Sequence, residues 1–331
     1  KEQLESWKSP SQKKEFIQHA FAGHNHDTTV HKWLTQKMLE LLSEDHAEVK
    51  QYSQAIQEGV EQEDSGSRPL NHFYNPNDPE EGLLGSETAL KWGAIGYPDN
   101  PDNEWDYEDA LRYYREGDRQ KAYKALGHVL HLLEDLSVPM HTRKIVHLPL
   151  SQAARFEAYF AELAKKNNGS LPPEYALGAD KPKLVLSLKE HFEAQAKQTF
   201  GAFQHDGLTI NFDEYYAWEK GKRGSVLKGP DKSVLEAMGK RLFPKAIENG
   251  AGMLTEFFGE LHPKASVQAQ RATDGVTGPA REQLALPAAT TGQTRAVKNL
   301  VEGPEFILKQ LSIKPGETSP RVPGPQSDER I

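Results

Sequence analysis

The sequence predicts an all-α fold: one helical domain over residues 23–262, a polar extension at 1–22 before it and a flexible, low-complexity polar tail or linker at 263–331 after it. Apolar residues recur at helical spacing through most of the middle of the chain, with little of the alternation that marks strands. Beyond His262 the composition shifts to Ala, Thr, Gly, Pro and Gln, with Phe306 the sole aromatic, too little to bury a core. That tail is expected to hold at most one short helix, around Val297–Leu311. With 27% charged and 37% hydrophobic residues, the 331-residue chain fits one soluble core with a polar remainder.

Taken in order, Lys1 to Gln18 is polar and has no apolar run long enough for a signal-peptide core or a membrane span. Ala20-Phe21-Ala22 before Gly23 looks like a small-x-small cleavage site. Residues 29–62 read as helical, with Leu34, Met38, Leu41 and Leu42 on one stripe. Asp64-Ser65-Gly66-Ser67-Arg68-Pro69 forces a loop. A helix starts in Glu87–Gly93, and Pro98–Asn103 is a turn-rich break without the Gly and Glu spacing of a calcium loop. Helices are expected at Tyr107–Glu116, Arg119–Leu136 and Ala153–Lys166. Residues 167–230 are punctuated by Gly169, Pro172, Pro173, Gly178 and Pro182, with a short strand or extended segment at Asp206–Phe212. Phe212, Tyr215, Tyr216 and Trp218 cluster there, as packing between helices or as a wall for an acyl chain or a base. A helix through Leu242, Ala246, Ala251, Leu254 and Phe257 closes the domain.

The densest chemistry lies in Gly127-His128-Val129-Leu130-His131-Leu132-Leu133-Glu134-Asp135-Leu136-Ser137-Val138-Pro139-Met140-His141. His131 and Asp135, at i and i+4, share a helix face with Cβ atoms roughly 5–6 Å apart, near enough to close on one ion. A lone histidine on an apolar face is more often a hydrogen-bonded core residue than a ligand. Here an aspartate shares the face, and a buried carboxylate without a partner costs several kcal/mol, so a cation is the economical explanation. Pro139 lacks an N–H and should break the helix, freeing His141 to turn toward a second ion. His128 serves equally as core or support and stays outside the ligand set. Zero Cys excludes disulfides and thiolate ligands, so any metal must use His, Asp and Glu, which suits an open catalytic site.

The His-x3-Asp block followed by Pro-x-His resembles the zinc-dependent phospholipase C family of bacteria, whose fold zinc-dependent single-strand nucleases share. Gly59-Val60-Glu61-Gln62-Glu63-Asp64 fits that family's Gly-x4-Asp segment. Asn71-His72-Phe73-Tyr74-Asn75-Pro76-Asn77-Asp78 is similar to its His-Phe-Tyr/Trp-Asp-Pro-Asp, and Thr29-Val30-His31 to its amino-terminal Thr-x-His. The resemblance covers about residues 24–260.

It implies an all-α domain around two or three zinc ions. One would be held by Asp64, His72, His131 and Asp135, and Asp135 would bridge to a second that also takes His31. A third would take His141 and Glu157 with a further histidine. The chain departs from the family there, because Ala153 stands at the histidine position and His147 is the nearest substitute. At the amino terminus the family uses a free amine as a ligand. Either processing exposes Gly23 for that role, or His24, His26 and Asp27 replace it, or His24-Asn25-His26 is only a solvated loop.

The implied function is zinc-dependent hydrolysis of phosphodiesters, most of all phospholipase C-type cleavage of phospholipids by a zinc-activated water. Asp64 would be ligand and general base, and Glu63 and Glu134 would orient ligands. The implied partners are a phospholipid or other phosphodiester substrate and a peripheral membrane contact, in a secreted or periplasmic compartment. A net charge of −8 argues against a stable nucleic-acid partner, whose binding needs a Lys/Arg stripe. Two other readings use the same residues: a nuclease, although Thr142-Arg143-Lys144-Ile145-Val146 lacks the Gly-Gly-Asn-like segment of those enzymes, and a non-catalytic metal-binding or interaction module.

Overall fold

The computed structural model describes residues 27–66, 68–95, 105–145, 155–184, 187–205, 208–212, 218–221, 224–227 and 230–262. These fall in one unit, Pro10–Glu282. The extension at 1–22, the tail at 263–331 with its expected helix, the turn at 98–103, His24, His26, His147, Ala153, Tyr215 and Tyr216 lie outside the described residues.

The fold is helical. Its helices are α1 (Thr29–Leu41), α2 (Ala47–Gln51), α3 (Ser53–Glu63), α4 (Ala89–Ile95), α5 (Tyr107–Glu116), α6 (Arg119–Asp135), α7 (Pro139–Thr142), α8 (Arg155–Lys166), α9 (Leu188–Phe200) and α10 (Lys232–Leu261). Two antiparallel hairpins accompany them: β1 (Phe203–His205) with β2 (Leu208–Ile210), in register Phe203 to Ile210, and β3 (Trp218–Gly221) with β4 (Gly224–Leu227), in register Trp218 to Leu227. The extended segment expected at 206–212 is therefore partly a strand. Phe212 is buried and sits beside Phe203, which favours the packing role for that aromatic. No described helix is long and apolar enough to cross a membrane.

Helix α6 is the axis of the domain. Gly117, at φ +91°, ends α5 in the left-handed conformation that a Cβ disfavours. Asp118 then caps α6, its side chain accepting from the Lys121 N–H at 3.1 Å. From Ala122 to Asp135 every residue but Lys124 is buried, so both polar and apolar side chains on all faces of this helix must find partners inside the protein. The helix stops at Asp135, and Pro139 takes the first position of α7, where a missing N–H costs nothing. The break expected at Pro139 thus becomes a helix start.

Two expectations need correction. Residues 29–62 do not form one helix: α1 ends at Leu42, whose ψ of 141° is extended, and Ser43 is extended as well, before a 3-10 turn at Glu44–His46 and then α2 and α3. Leu34, Met38 and Leu42 are buried as the stripe required, and the break lets α3 turn onto α6. The supposedly irregular 167–230 stretch contains α9, whose signal was Ser187 three residues before Glu190; the Ser187 hydroxyl caps the helix at the Glu190 N–H. The closing helix also begins earlier than its apolar pattern indicated, at an Asp231 cap, and runs through a buried Pro244.

The decisive packing is α3 on α6. A Cβ on Gly59 would lie 2.0 Å from the Lys124 carbonyl oxygen, and one on Gly127 would lie 2.1 Å from that of Ile56. The helices therefore touch backbone to backbone, and only glycine fits at the crossing. Helix propensity alone would make Gly127→Ala stabilising by about 1 kcal/mol. Overpacking against a backbone carbonyl should instead destabilise the fold by about 1–3 kcal/mol or more. Chemical denaturation of Gly127→Ala and Gly59→Ala should show lowered midpoints; a raised midpoint would mean that the helices do not meet there.

Candidate metal centre

The crossing of α3 and α6 aims the C-terminal ends of both helices at one point. Asp64 caps α3, Asp135 ends α6, and His131 lies one turn earlier on the same face. His31 comes from α1, His72 from the segment after the 3-10 turn at Arg68–Asn71, and His141 from α7. His131 Nε2 lies 3.5 Å from Asp64 Oδ1 and 3.4 Å from Asp135 Oδ2. His31 Nε2 lies 3.5 Å from Asp135 Oδ1, and His72 Nδ1 lies 3.7 Å from Asp64 Oδ1 and 2.6 Å from Asp135 Oδ2. His141 Nδ1 is 3.6 Å from Asp135 Oδ2, and its Nε2 is 3.2 Å from Glu157 Oε1 on α8. The six residues His31, Asp64, His72, His131, Asp135 and His141 are thus gathered in one place, with Glu157 next to His141. Asp27 is elsewhere: it pairs with Lys165 at 2.6 Å and accepts from the Thr29 N–H.

The partners behind the rings decide which nitrogen faces the centre. His131 Nδ1 donates to the Val60 carbonyl at 2.8 Å, and His141 Nδ1 donates to the His72 carbonyl at 3.0 Å. A carbonyl only accepts, so each Nδ1 carries its proton, and a neutral ring offers the lone pair of Nε2. His31 Nδ1 donates to Glu134 Oε2 at 2.9 Å, which turns its Nε2 to Asp135. His72 is reversed: Nδ1 faces the aspartates and Nε2 lies 3.5 Å from Glu63 Oε1.

Glu63 and Glu134, each one residue before a site aspartate, point the other way round their helices and hold the supports. Glu63 accepts from His128 Nδ1 at 2.6 Å, Trp92 Nε1 at 2.9 Å and Arg68 Nε at 2.6 Å. Glu134 accepts from the Thr35 hydroxyl at 2.7 Å besides His31. Trp105 stacks over His128. Arg68, Trp92 and Thr35 are the residues that sequence reasoning missed; nothing in their local pattern ties them to carboxylates up to 99 positions away.

Burial would raise the Asp64 carboxyl, but the positive field and hydrogen bonding of His131, with His72 behind it, hold it down at about 2. Burial likewise opposes ionisation of Asp135, and His141, His131 and His72 overcome it, keeping it well below the usual range. Desolvation pushes His72 down, yet Asp135 and Glu63 lift it to about 9, and Asp64 and Asp135 raise His131 well above its ordinary value. Glu63, fully buried, is held well below the usual carboxylate range chiefly by Arg68, with help from His128 and His72. Burial raises Glu134 and lowers His128, against their imidazole and carboxylate partners respectively.

The donor set fits zinc. Separations of 3.4–3.7 Å are longer than a well-formed hydrogen bond and match the edge of a tetrahedron with ~2.0–2.1 Å bonds, about 3.3 Å, while His72 Nδ1 and Asp135 Oδ2, at 2.6 Å, lie closer than that edge. His131 Nε2 and Asp135 Oδ2 are buried without an aligned hydrogen-bond partner, an arrangement that is costly unless a cation completes it. Three groups, His31-His131-Asp135, Asp64-His72-His131 and His72-Asp135-His141, have their ligand atoms within 4.8 Å of one another. The Glu63 network generates one prediction. Glu63→Ala would leave Arg68 and His128 facing a buried void, so it should cost about 3–5 kcal/mol. Glu63→Ala/Arg68→Ala should recover part of that loss; equal stability of wild type and Glu63→Ala in urea would show that the pair carries no weight.

No family model matches the chain. A curated protein of Listeria monocytogenes named phospholipase C is 27% identical over 151 residues, covering 41% of this chain. The chain spans about half of that relative's length, 49%. Among solved structures, an alpha toxin from Clostridium absonum superposes with a TM-score of 0.48 at 15% identity, covering 74% of this chain and 65% of the toxin. The alpha-toxin of an avian strain of Clostridium perfringens gives 0.46 at 13% identity, with the same coverages. The curated relative thus bears the name of the family that this chain's own motifs resemble.

Proposed function

We propose that this protein is a zinc-dependent phosphodiesterase that cleaves phospholipids in the manner of a phospholipase C. The observation that carries the reading is the convergence of His31, Asp64, His72, His131, Asp135 and His141, with their ring nitrogens pre-set, in a chain whose relative bears that name. Asp64, His72, His131 and Asp135 would hold one ion, His31 and Asp135 a second, and His141 and Glu157 a third with His147. Bound zinc supplies Lewis-acid polarisation of the phosphoryl oxygens and lowers the pKa of a coordinated water from about 15.7 toward ~7.

The chain's own groups do the rest. Asp64, held at about 2, is ionised throughout the working range and so is available as an anionic ligand, while its general-base role rests on the family resemblance. Asp135 offers two oxygens to two neighbouring positions, His31 on one side and His131 and His72 on the other. Glu134 and Glu63 keep His31 and His128, respectively, from rotating away. His72, His131 and His141 are buried, which keeps bulk water from their rings.

The test is the purified protein loaded with zinc and offered phosphatidylcholine, single-stranded DNA and a chromogenic phosphodiester. Cleavage of phosphatidylcholine supports the reading, cleavage of DNA alone favours the nuclease, and two or three zinc ions bound without turnover mark the non-catalytic module. Asp135→Asn should lose turnover by orders of magnitude while retaining its fold, because an amide cannot bridge two cations with a full charge. Wild-type turnover and metal content in Asp135→Asn would sink the assignment. His131→Ala should lose turnover and some stability together.

Proton linkage gives a second check. An unfolded histidine titrates near ~6.5, so the raised His72 stabilises the metal-free protein fully below that pH, and the contribution is lost as pH climbs through about 9. Zinc requires neutral imidazoles, so its binding at pH 7 must expel protons from His72 and His131, and apparent affinity should rise from pH 6 to about 9. Calorimetry in two buffers of different ionisation enthalpy reads the released protons; zero release would place zinc away from these rings.

A further inference from the structure

The segment from Tyr175 to Leu188 joins the 3-10 turn at Pro173–Tyr175 to α9. Its ends are fixed. Tyr175 is buried against Phe160 and Phe243, the Lys183 N–H donates to the Glu248 carbonyl at 2.8 Å, and Leu188 is buried at the start of α9. Between these anchors Ala176 and Ala179 pack on the core, and Gly178, at φ +90°, makes the turn at the tip. Yet Leu177 is 71% exposed and Leu184 is 72% exposed. Among the described residues Ile95, at the end of α4, is the other exposed large apolar side chain. Isolated exposed leucines are ordinary; two within eight residues on a tethered connection, left out by a core that accepts their neighbours, are not accounted for by folding.

The charge of the same segment is opposite to that of the chain. Residues 176–189 carry Lys181, Lys183 and Lys189 against Asp180, while the whole chain has a net charge of −8. Lys183 lies close to Lys245, which is itself bonded to Glu248 at 2.7 Å, and Lys189 is 3.6 Å from Glu193. Apolar side chains flanked by lysines suit the boundary between headgroups and acyl chains of an anionic bilayer.

We propose that the connection bearing Leu177 and Leu184 is a membrane-docking surface, in which these two leucines enter an anionic phospholipid bilayer while Lys181 and, at the start of α9, Lys189 meet its headgroups. The choice of a bilayer rests on the phospholipid reading of the metal centre, but the loop's role is separable from it. The full chain is sedimented with vesicles of phosphatidylcholine containing phosphatidylglycerol, and with phosphatidylcholine alone, as wild type, Leu177→Ser/Leu184→Ser and Lys181→Gln/Lys189→Gln. The leucine pair should lower vesicle binding and vesicle hydrolysis by about tenfold or more. Its thermal transition and its rate on a water-soluble chromogenic phosphodiester should match wild type, since these side chains lie on the surface. The lysine pair should lose the preference for anionic vesicles and much of the salt dependence. Wild-type protein that stays in the supernatant, or a leucine pair that binds as wild type does, overturns the proposal. Leucine-dependent binding in a protein that cleaves no phosphodiester would uphold the loop and overturn the enzymatic reading instead.

Discussion

The backbone contact of α3 and α6 at Gly59 and Gly127 is the constraint on which the rest of the structure depends. With Cβ atoms at those positions the helices would have to separate, and the features that follow from their closeness would separate with them. The Val60 carbonyl reaches His131 because α3 lies in contact one residue after Gly59. Glu63 reaches His128, and Asp64 reaches His131, because α3 is still alongside α6 a turn later. A site of this kind tolerates little displacement, since ligand geometry must hold to within a fraction of an ångström. Packing at a pair of glycines thus sets the geometry of the cluster.

Much of this was legible in the sequence. His131 and Asp135 announce themselves because a helix converts their spacing into adjacency, and Pro139 announces the chain reversal that brings His141 back. Asp64, His72 and His31 could be found only through resemblance, since their approach to α6 is tertiary and leaves no periodic trace. The helical class followed from apolar spacing, and its failures have local causes. The break after Leu41 turns on two extended residues that carry no Gly or Pro to signal it. Helix α9 was obscured by the Gly and Pro residues before it, although Ser187 and Glu190 marked its start. The Glu63 and Glu134 networks were half visible: the carboxylates stood out beside the aspartates, while Arg68, Trp92 and Thr35 did not.

The two acidic dipeptides, Glu63-Asp64 and Glu134-Asp135, repeat one design at two helix ends. Neighbouring residues on a helix point about 100° apart, so within each pair the aspartate faces the centre and the glutamate faces the rings that support it. Both pairs sit at helix C-termini, where the macrodipole contributes partial negative charge and disfavours carboxylates. Three buried acids and the part-buried Asp64 are therefore gathered where the backbone field already opposes them.

Such an arrangement persists only with positive charge inside it. Arg68 answers Glu63 permanently, since a guanidinium does not deprotonate. The charges of Asp64 and Asp135 have no such fixed partner; they are met by histidines, which are charged only when they hold protons. Glu63, whose counter-charge is permanent, is part of the scaffold, whereas around Asp64 and Asp135 the cavity could trade imidazolium protons for a divalent cation without moving a helix. His131, His31 and His141 are held from behind by the Val60 carbonyl, Glu134 and the His72 carbonyl, so for these rings such a trade would need no rotation. Pre-set tautomers and exchangeable charge are what a metal receptor at this end of α6 would need, and the glycine crossing beneath them keeps the cluster in shape.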